Sequence, residues 1–209
     1  MKIILVDDHE LIREGLKKVI AKESDIDVIG EAQNADEMFE LLSKDKIDIV
    51  VLDITLPGRS GLDLISEIKT HYPEVRVLIL SMHPEDRFAV RALRSGAYGF
   101  ITKGTASKIL IEALRKIADG RKYITPTLAE HLALELDVDH DKPLHESLSN
   151  REFEVMRLIA EGKSVSEIAE MLFISVNTVT SYRSRIMEKM KMKTNAEIIR
   201  YAIEQNLIT

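Results

Sequence analysis

The sequence contains no cysteine, so neither disulfides nor thiolate-bound metals belong to its chemistry. It has no apolar run approaching the roughly 20 residues of a membrane-spanning helix. Its opening, Met1-Lys-Ile-Ile-Leu-Val-Asp-Asp8, is too short and too soon acidic for a signal peptide. These absences predict a soluble chain in a reducing, cytoplasmic compartment with no membrane partner. Two further lacks narrow the reading. The last third shows no strand pattern. The acidic stretch Asp137-Val-Asp-His-Asp-Lys-Pro143 cannot serve as a calcium loop, because Lys142 stands where an EF-hand needs Gly and Leu148 where it needs Glu. The six histidines (His9, His71, His83, His131, His140, His145) are scattered, which predicts solvated or loop roles rather than metal ligation.

What is present is enough apolar material, 45% of 209 residues, for a substantial core in one or two domains. The net charge of −6 is unevenly placed. Residues 1–120 carry 17 basic and 21 acidic side chains, residues 121–147 carry 3 and 6, and residues 148–209 carry 9 and 8. Between Val176 and Lys193, Arg183, Arg185, Lys189, Lys191 and Lys193 face only Glu188, a local excess suited to a polyanion.

The chain is organised around Ile47-Asp-Ile-Val-Val-Leu-Asp-Ile-Thr-Leu-Pro-Gly58, in which an apolar run ends on Asp53 just before Pro57-Gly58. Such a run suits a parallel strand covered on both faces. Ligands in these sheets bind beyond the carboxyl ends of the strands. Strands over Lys2–Val6, Val28–Glu31, Ile47–Asp53, Val75–Ser81 and Gly99–Thr102 alternate with helical patterns over Glu10–Ala21, Ala35–Ser43, Leu62–Tyr72, Asp86–Ser95 and Ala106–Asp119. Five βα units predict a doubly wound α/β fold, a five-stranded parallel sheet of the flavodoxin-like kind. The first strand ends on Asp7-Asp8, the fourth on Ser81 and the fifth runs into Lys103. If the first and third strands are neighbours, three carboxylates meet on one rim and must be protonated or bridged by a cation. Hard oxygen ligands select Mg²⁺, which keeps waters and favours a phosphate co-ligand.

Gly120 marks the end of the last of these helices, Thr125-Pro126 can start a short helix through Leu136, and the polar stretch after it reads as a linker. Three capping boxes then follow, Ser149-x-x-Glu152, Ser164-x-x-Glu167 and Thr194-x-x-Glu197, with Ser175 a further N-cap. They predict a small all-α domain of four helices over Asn150–Glu161, Val165–Leu172, Val176–Lys191 and Asn195–Gln205. The middle pair has helix-turn-helix spacing. On the third helix Val179, Tyr182, Ile186 and Met190 form a core stripe, with Asn177, Thr180, Ser181 and Ser184 opposite and Arg183 and Arg185 on the flanks. In the last helix Ile199 and Ile203 form one apolar stripe and Ile198 and Ala202 another, more than one core contact requires.

The carboxylates, hydroxyl and ammonium at the strand ends resemble the receiver domain of two-component response regulators. Leu148-Ser-Asn-Arg-Glu-Phe-Glu-Val155, Ser166-Glu-Ile-Ala169, Leu172-Phe-Ile-Ser175, Thr178-Val179 and Lys189-Met190 resemble the LuxR-type DNA-binding domain. Together they point to a NarL/FixJ-type response regulator with a receiver over residues 1–120, a linker over 121–147 and a helix-turn-helix domain over 148–209. The resemblance implies that Asp53 is the phosphoacceptor and that Asp7, Asp8, Asp53 and the Thr55 backbone carbonyl hold Mg²⁺. It also implies that Lys103 pairs with the phosphoryl group, that Ser81 is the switch hydroxyl, and that Phe100 is the switch aromatic, turning inward as Ser81 moves. The implied partners are a sensor histidine kinase, double-stranded DNA and a second copy on DNA, met through the last helix. No enzymatic activity is implied beyond the chain's own phosphorylation and dephosphorylation. Base contacts fall to Asn177, Thr180, Ser181 and Ser184, and phosphate contacts to Arg183, Arg185 and Lys189. Gly104 stands where many receivers have Pro, and Thr180, Ser181 and Ser184 stand where several relatives carry base-reading Lys, so the operator sequence does not carry over. A phosphatase of the haloacid-dehalogenase kind would need a second Asp two residues after the nucleophile, where this chain has Thr55.

Overall fold

The computed structural model describes residues 1–82, 85–137, 143–205 and 207–208, with the backbone alone for 85–87, 131 and 134–137. His83, His140 and residues 138–142 of the acidic stretch lie outside the described residues. The chain divides into two compact units, Met1–Val138 and Asp139–Thr209.

In the first unit the elements are β1 (Lys2–Val6), α1 (Glu10–Ile20), β2 (Asp27–Ala32), α2 (Ala35–Lys44), β3 (Ile49–Asp53), α3 (Gly61–His71), β4 (Arg76–Ser81), α4 (Glu85–Ser95), β5 (Gly99–Thr102), α5 (Lys103–Ala118) and α6 (Pro126–Asp137). The strands form one sheet in the order β2-β1-β3-β4-β5, and every pairing is parallel. This is the expected doubly wound arrangement. Alternation along the strands sends Ile3, Leu5, Ile49, Val51, Leu78, Leu80 and Ile101 to one face, where Leu16 and Ile20 of α1 and Leu110, Ala113, Leu114 and Ile117 of α5 meet them. The intervening Ile4, Val6, Val50, Leu52, Ile79 and Phe100 are equally buried. The strands thus read as continuous apolar runs because both faces are covered.

Most boundaries shift by one or two residues from expectation, and two larger differences stand out. The fifth helix begins at Lys103 itself rather than Ala106, the Thr105 hydroxyl donating to the Thr102 carbonyl (3.2 Å) where the chain turns into it. The segment after Gly120 does not leave the sheet: the Tyr123 N–H donates to the Tyr98 carbonyl (2.7 Å), and Tyr123 bridges Gly99 at the edge. A Cβ on Gly99 would lie 3.0 Å from the Tyr123 Cβ, so glycine lets the connector seat closely. The following helix, α6, packs on α4 with Leu128 buried, and so joins the first unit.

The second unit opens with a 3₁₀ turn, Leu144–Ser147, followed by α7 (Asn150–Ala160), α8 (Val165–Met171), α9 (Val176–Lys189) and α10 (Asn195–Glu204). All three capping boxes form, and Ser175 caps α9. Each box satisfies two backbone donors that the first turn leaves unpaired. α7 packs on α9 and α10, and α8 on α9. Phe153, Met156, Ile168, Leu172, Val179, Ile186, Met190, Ile198 and Ala202 fill the core.

Candidate functional site

β1 and β3 are neighbours, so Asp7, one residue past β1, lies beside Asp53 at the end of β3. Both carboxylates are almost fully buried. The Lys103 ammonium is 2.7 Å from Asp53 Oδ2 and 2.7 Å from Asp7 Oδ2. The Thr55 N–H donates to Asp53 Oδ1 at 3.1 Å, and the His9 N–H to Asp7 Oδ1 at 2.9 Å. Burial pushes the Asp53 carboxyl up to about 6, with Asp7 adding to the rise and Lys103 opposing it. Burial also lowers Lys103, but the Asp53 and Asp7 carboxylates outweigh it and hold the ammonium above its ordinary value.

The sequence did not point to His9. Its Nδ1 lies 3.2 Å from Asp7 Oδ1 and 2.8 Å from Asp8 Oδ1. Ligand atoms of Asp7, Asp8, His9 and Asp53 all fall within 4.8 Å of one another. Asp7 Oδ2 is met by the Lys103 ammonium and Asp8 Oδ1 by the His9 ring. Three carboxylates against one ammonium fit a hard divalent cation such as Mg²⁺.

Two other residues that sequence reasoning missed shape the rim. Arg13, buried on α1, donates from Nη1 to the Asp7 carbonyl (2.6 Å) and from Nε to Glu31 (3.1 Å). It ties the loop after β1 to β2. Gly61 opens α3 so close to the loop after β3 that a Cβ there would lie 2.7 Å from Ile54 Cα and 2.9 Å from the Asp53 carbonyl. The Pro57-Gly58 turn that leads to it needs Gly58 at φ 76°, and Thr55 bridges Ser60 across the turn. Glycine at position 61 is legible only once α3 is packed.

Ser81 is fully buried at the end of β4, opposite Thr102. Phe100, the expected switch aromatic, also lies inside. It is fully buried in β5, opposite Ile79. On this strand position 100 falls on the face that includes Ile79 and Leu52, and burying a phenyl ring there is worth about 2–3 kcal/mol.

In the second unit α9 sorts its residues as the spacing predicts. Val179, Ile186 and Met190 are buried and Tyr182 half-buried, while Asn177, Thr180, Ser181, Ser184 and Arg185 are exposed. The three cations are not equivalent. Arg183 Nε donates to Asn195 Oδ1 (2.8 Å), and the Lys189 ammonium sits 2.6 Å from the buried carboxylate of Glu152. Arg185 has no ion-pair partner among the described residues. Exposed Lys191 and Lys193 extend the positive edge beyond the helix.

Residues 3–115 match the response regulator receiver domain, and residues 146–202 match the luxR family of bacterial regulatory proteins. The response regulator GacA of Pseudomonas aeruginosa is 32% identical, the match covering 100% of this chain and 98% of that protein. Among solved structures, RcsB of Salmonella enterica serovar Typhimurium, bound to a promoter with the phosphomimetic BeF₃⁻, aligns with a TM-score of 0.69 at 26% identity. That alignment covers 96% of this chain and 97% of RcsB. A structure of two RcsB dimers on two parallel DNAs aligns with a TM-score of 0.61 at 26% identity, over 100% and 99%. Among the described residues no helix is long and apolar enough to cross a membrane.

Proposed function

The chain belongs to the NarL/FixJ-type response regulators, which join a receiver domain to a LuxR-type DNA-binding domain, and on that premise we propose that phosphorylation of Asp53 by a sensor histidine kinase switches its DNA binding in the cytoplasm. The observation that carries the reading is the rim where the Lys103 ammonium makes ion-pair contacts with both Asp53 and Asp7, with Asp8 alongside. Asp53 Oδ attacks phosphorus, the P–N bond of the donor phosphohistidine breaks, and the departing imidazole keeps the electron pair. Lys103 is placed to neutralise incoming phosphoryl oxygens, and the Thr55 N–H holds one Asp53 oxygen while the other reacts. Asp7, Asp8, Asp53 and the Thr55 carbonyl would hold Mg²⁺, which when bound offsets the phosphoryl charge. Such transfers depend mainly on positioning and electrostatics, so the chain needs no further catalytic group and turns over no external substrate.

The phosphoryl group adds about −1.5 to −2 charges, drawing on Lys103 and on Ser81 at the adjacent strand end. The output is α9, whose exposed face meets bases while Arg185 and its neighbours meet phosphates. RcsB is described as dimers on DNA, and the same assembly is proposed for this chain. Mass spectrometry after incubation with acetyl phosphate and Mg²⁺ should find one added phosphoryl group on Asp53. It should be absent in Asp53→Asn and lost with EDTA; equal labelling of Asp53→Asn would refute the assignment.

A further inference from the structure

The exposed face of α9 carries information about which bases it meets, and this extends the DNA-binding reading just given. Thr180 Oγ1 donates to the Val176 carbonyl (3.0 Å), Ser181 Oγ to the Asn177 carbonyl (2.9 Å) and Ser184 Oγ to the Thr180 carbonyl (3.1 Å). A hydroxyl has one hydrogen and two lone pairs. With its hydrogen bound to the helix four residues back, each of these three side chains can only accept outward.

The spacing puts them on one surface. Val176, Thr180 and Ser184 follow at four-residue steps, while Asn177, Ser181, Ser184 and Glu188 run alongside at steps of four, three and four. Glu188, exposed at the far end of that line, is also acceptor-only. Neither line carries a cation, and Arg185 stands beside them. The long forked donor that pairs with guanine O6 and N7 is therefore missing from the centre of the face. Val176, 48% exposed at the first turn, and the Thr180 methyl supply apolar surface where recognition helices meet base edges.

In the major groove only adenine N6 and cytosine N4 donate, and only thymine offers a methyl group. An A·T pair presents both a donor and a methyl, a C·G pair presents a donor without a methyl, and guanine sets acceptors against acceptors. We propose that Thr180, Ser181 and Ser184 select A·T pairs under α9, accepting from adenine N6, while Val176 and Thr180 contact thymine methyls. Asn177, which carries both a donor and an acceptor, suits adenine N6 and N7 at the same edge.

The test starts with the full chain, treated with acetyl phosphate and Mg²⁺ and used to select duplexes from a random library. In the selected site each adenine is then replaced by purine, which lacks the N6 amine, and each thymine by uracil, which lacks the methyl. The selected half-sites should hold A·T pairs at the helix-contacting positions. Purine at one of them should weaken binding about fivefold, the worth of one hydrogen bond, and Ser184→Ala should abolish that sensitivity at one position. Val176→Ala should reduce sensitivity to uracil, leaving the part that the Thr180 methyl supplies. Half-sites with guanine at those positions, weakened by 7-deazaguanine, would show that the hydroxyls turn outward and donate, which overturns the inference. Salt-dependent binding with no base preference would overturn it too, while leaving the DNA-binding function standing. Failure to bind any duplex at low salt would instead remove the function on which it rests.

Discussion

Asp53 is kept in a place where its charged form is disfavoured. Its folded-state value of about 6 lies above the ordinary 3.8, so the native state binds the proton more tightly than the unfolded chain does. The contribution is stabilising in full below about pH 4 and is lost as pH rises through 6. At pH 8 without metal the ionised carboxylate therefore costs about 3 kcal/mol. Asp53→Asn should raise the melting temperature in EDTA at pH 8, with the gain fading as pH falls towards 4. Millimolar Mg²⁺ should narrow the difference, since a ligand that binds only the folded wild type stabilises it by mass action. Thermal melts of both proteins across pH, with and without Mg²⁺, check this, and a pH-independent gap would count against burial as the cause. The proton that Asp53 binds also competes with the cation, so Mg²⁺ affinity should weaken below about pH 6.

At the scale of elements, α9 is anchored through its cations as well as its apolar stripe. Lys189 reaches the Glu152 carboxylate at the start of α7, and Arg183 reaches Asn195 at the start of α10. Each phosphate contact contributes about one unit to the slope of log K against log salt. Arg185→Ala should reduce that slope by about one and weaken specific and random DNA alike. Lys189→Met should leave the slope unchanged and instead lower the stability of the small unit by about 1 kcal/mol, the scale of a partly buried hydrogen-bonded pair. Titrations at several salt concentrations, together with urea denaturation, separate the two. Equal slopes for both variants would return Lys189 to the phosphate-binding set.

For the whole molecule, a shift from about 1% to 99% of a DNA-competent form requires roughly 5.5 kcal/mol of differential stabilisation. That is large for one phosphoryl group, and association of two copies on two half-sites can share it. α10 has a surface for this. Ile198 and Ala202 are buried in the unit's own core, whereas Ile199 is half-buried and Ile203 is 58% exposed. Ile198→Glu should unfold the small unit by circular dichroism. Ile199→Glu should leave it folded but monomeric by light scattering and weak on a two-half-site duplex. If Ile199→Glu remains dimeric and active, the interface lies elsewhere.

Much of this was legible along the chain because it depends on neighbours in sequence. The capping boxes at Ser149, Ser164 and Thr194 bind residues three apart, the runs from Lys2 and Ile47 mark buried strands, and each run delivers its carboxylate to a strand end whatever surrounds it. Tertiary structure decided what depends on distant partners. Which isoleucine stripe of α10 is core follows from where α7 packs. Lys189 meets a carboxylate on α7, Arg13 meets a carbonyl beyond β1, and Gly61 is required because α3 leaves no room for a Cβ beside Ile54. Phe100 is buried because the sheet is covered on both faces. Periodicity and caps are properties of a few consecutive residues, whereas pairing of charges and close approach of backbones arise only when the fold brings remote segments within a few ångströms.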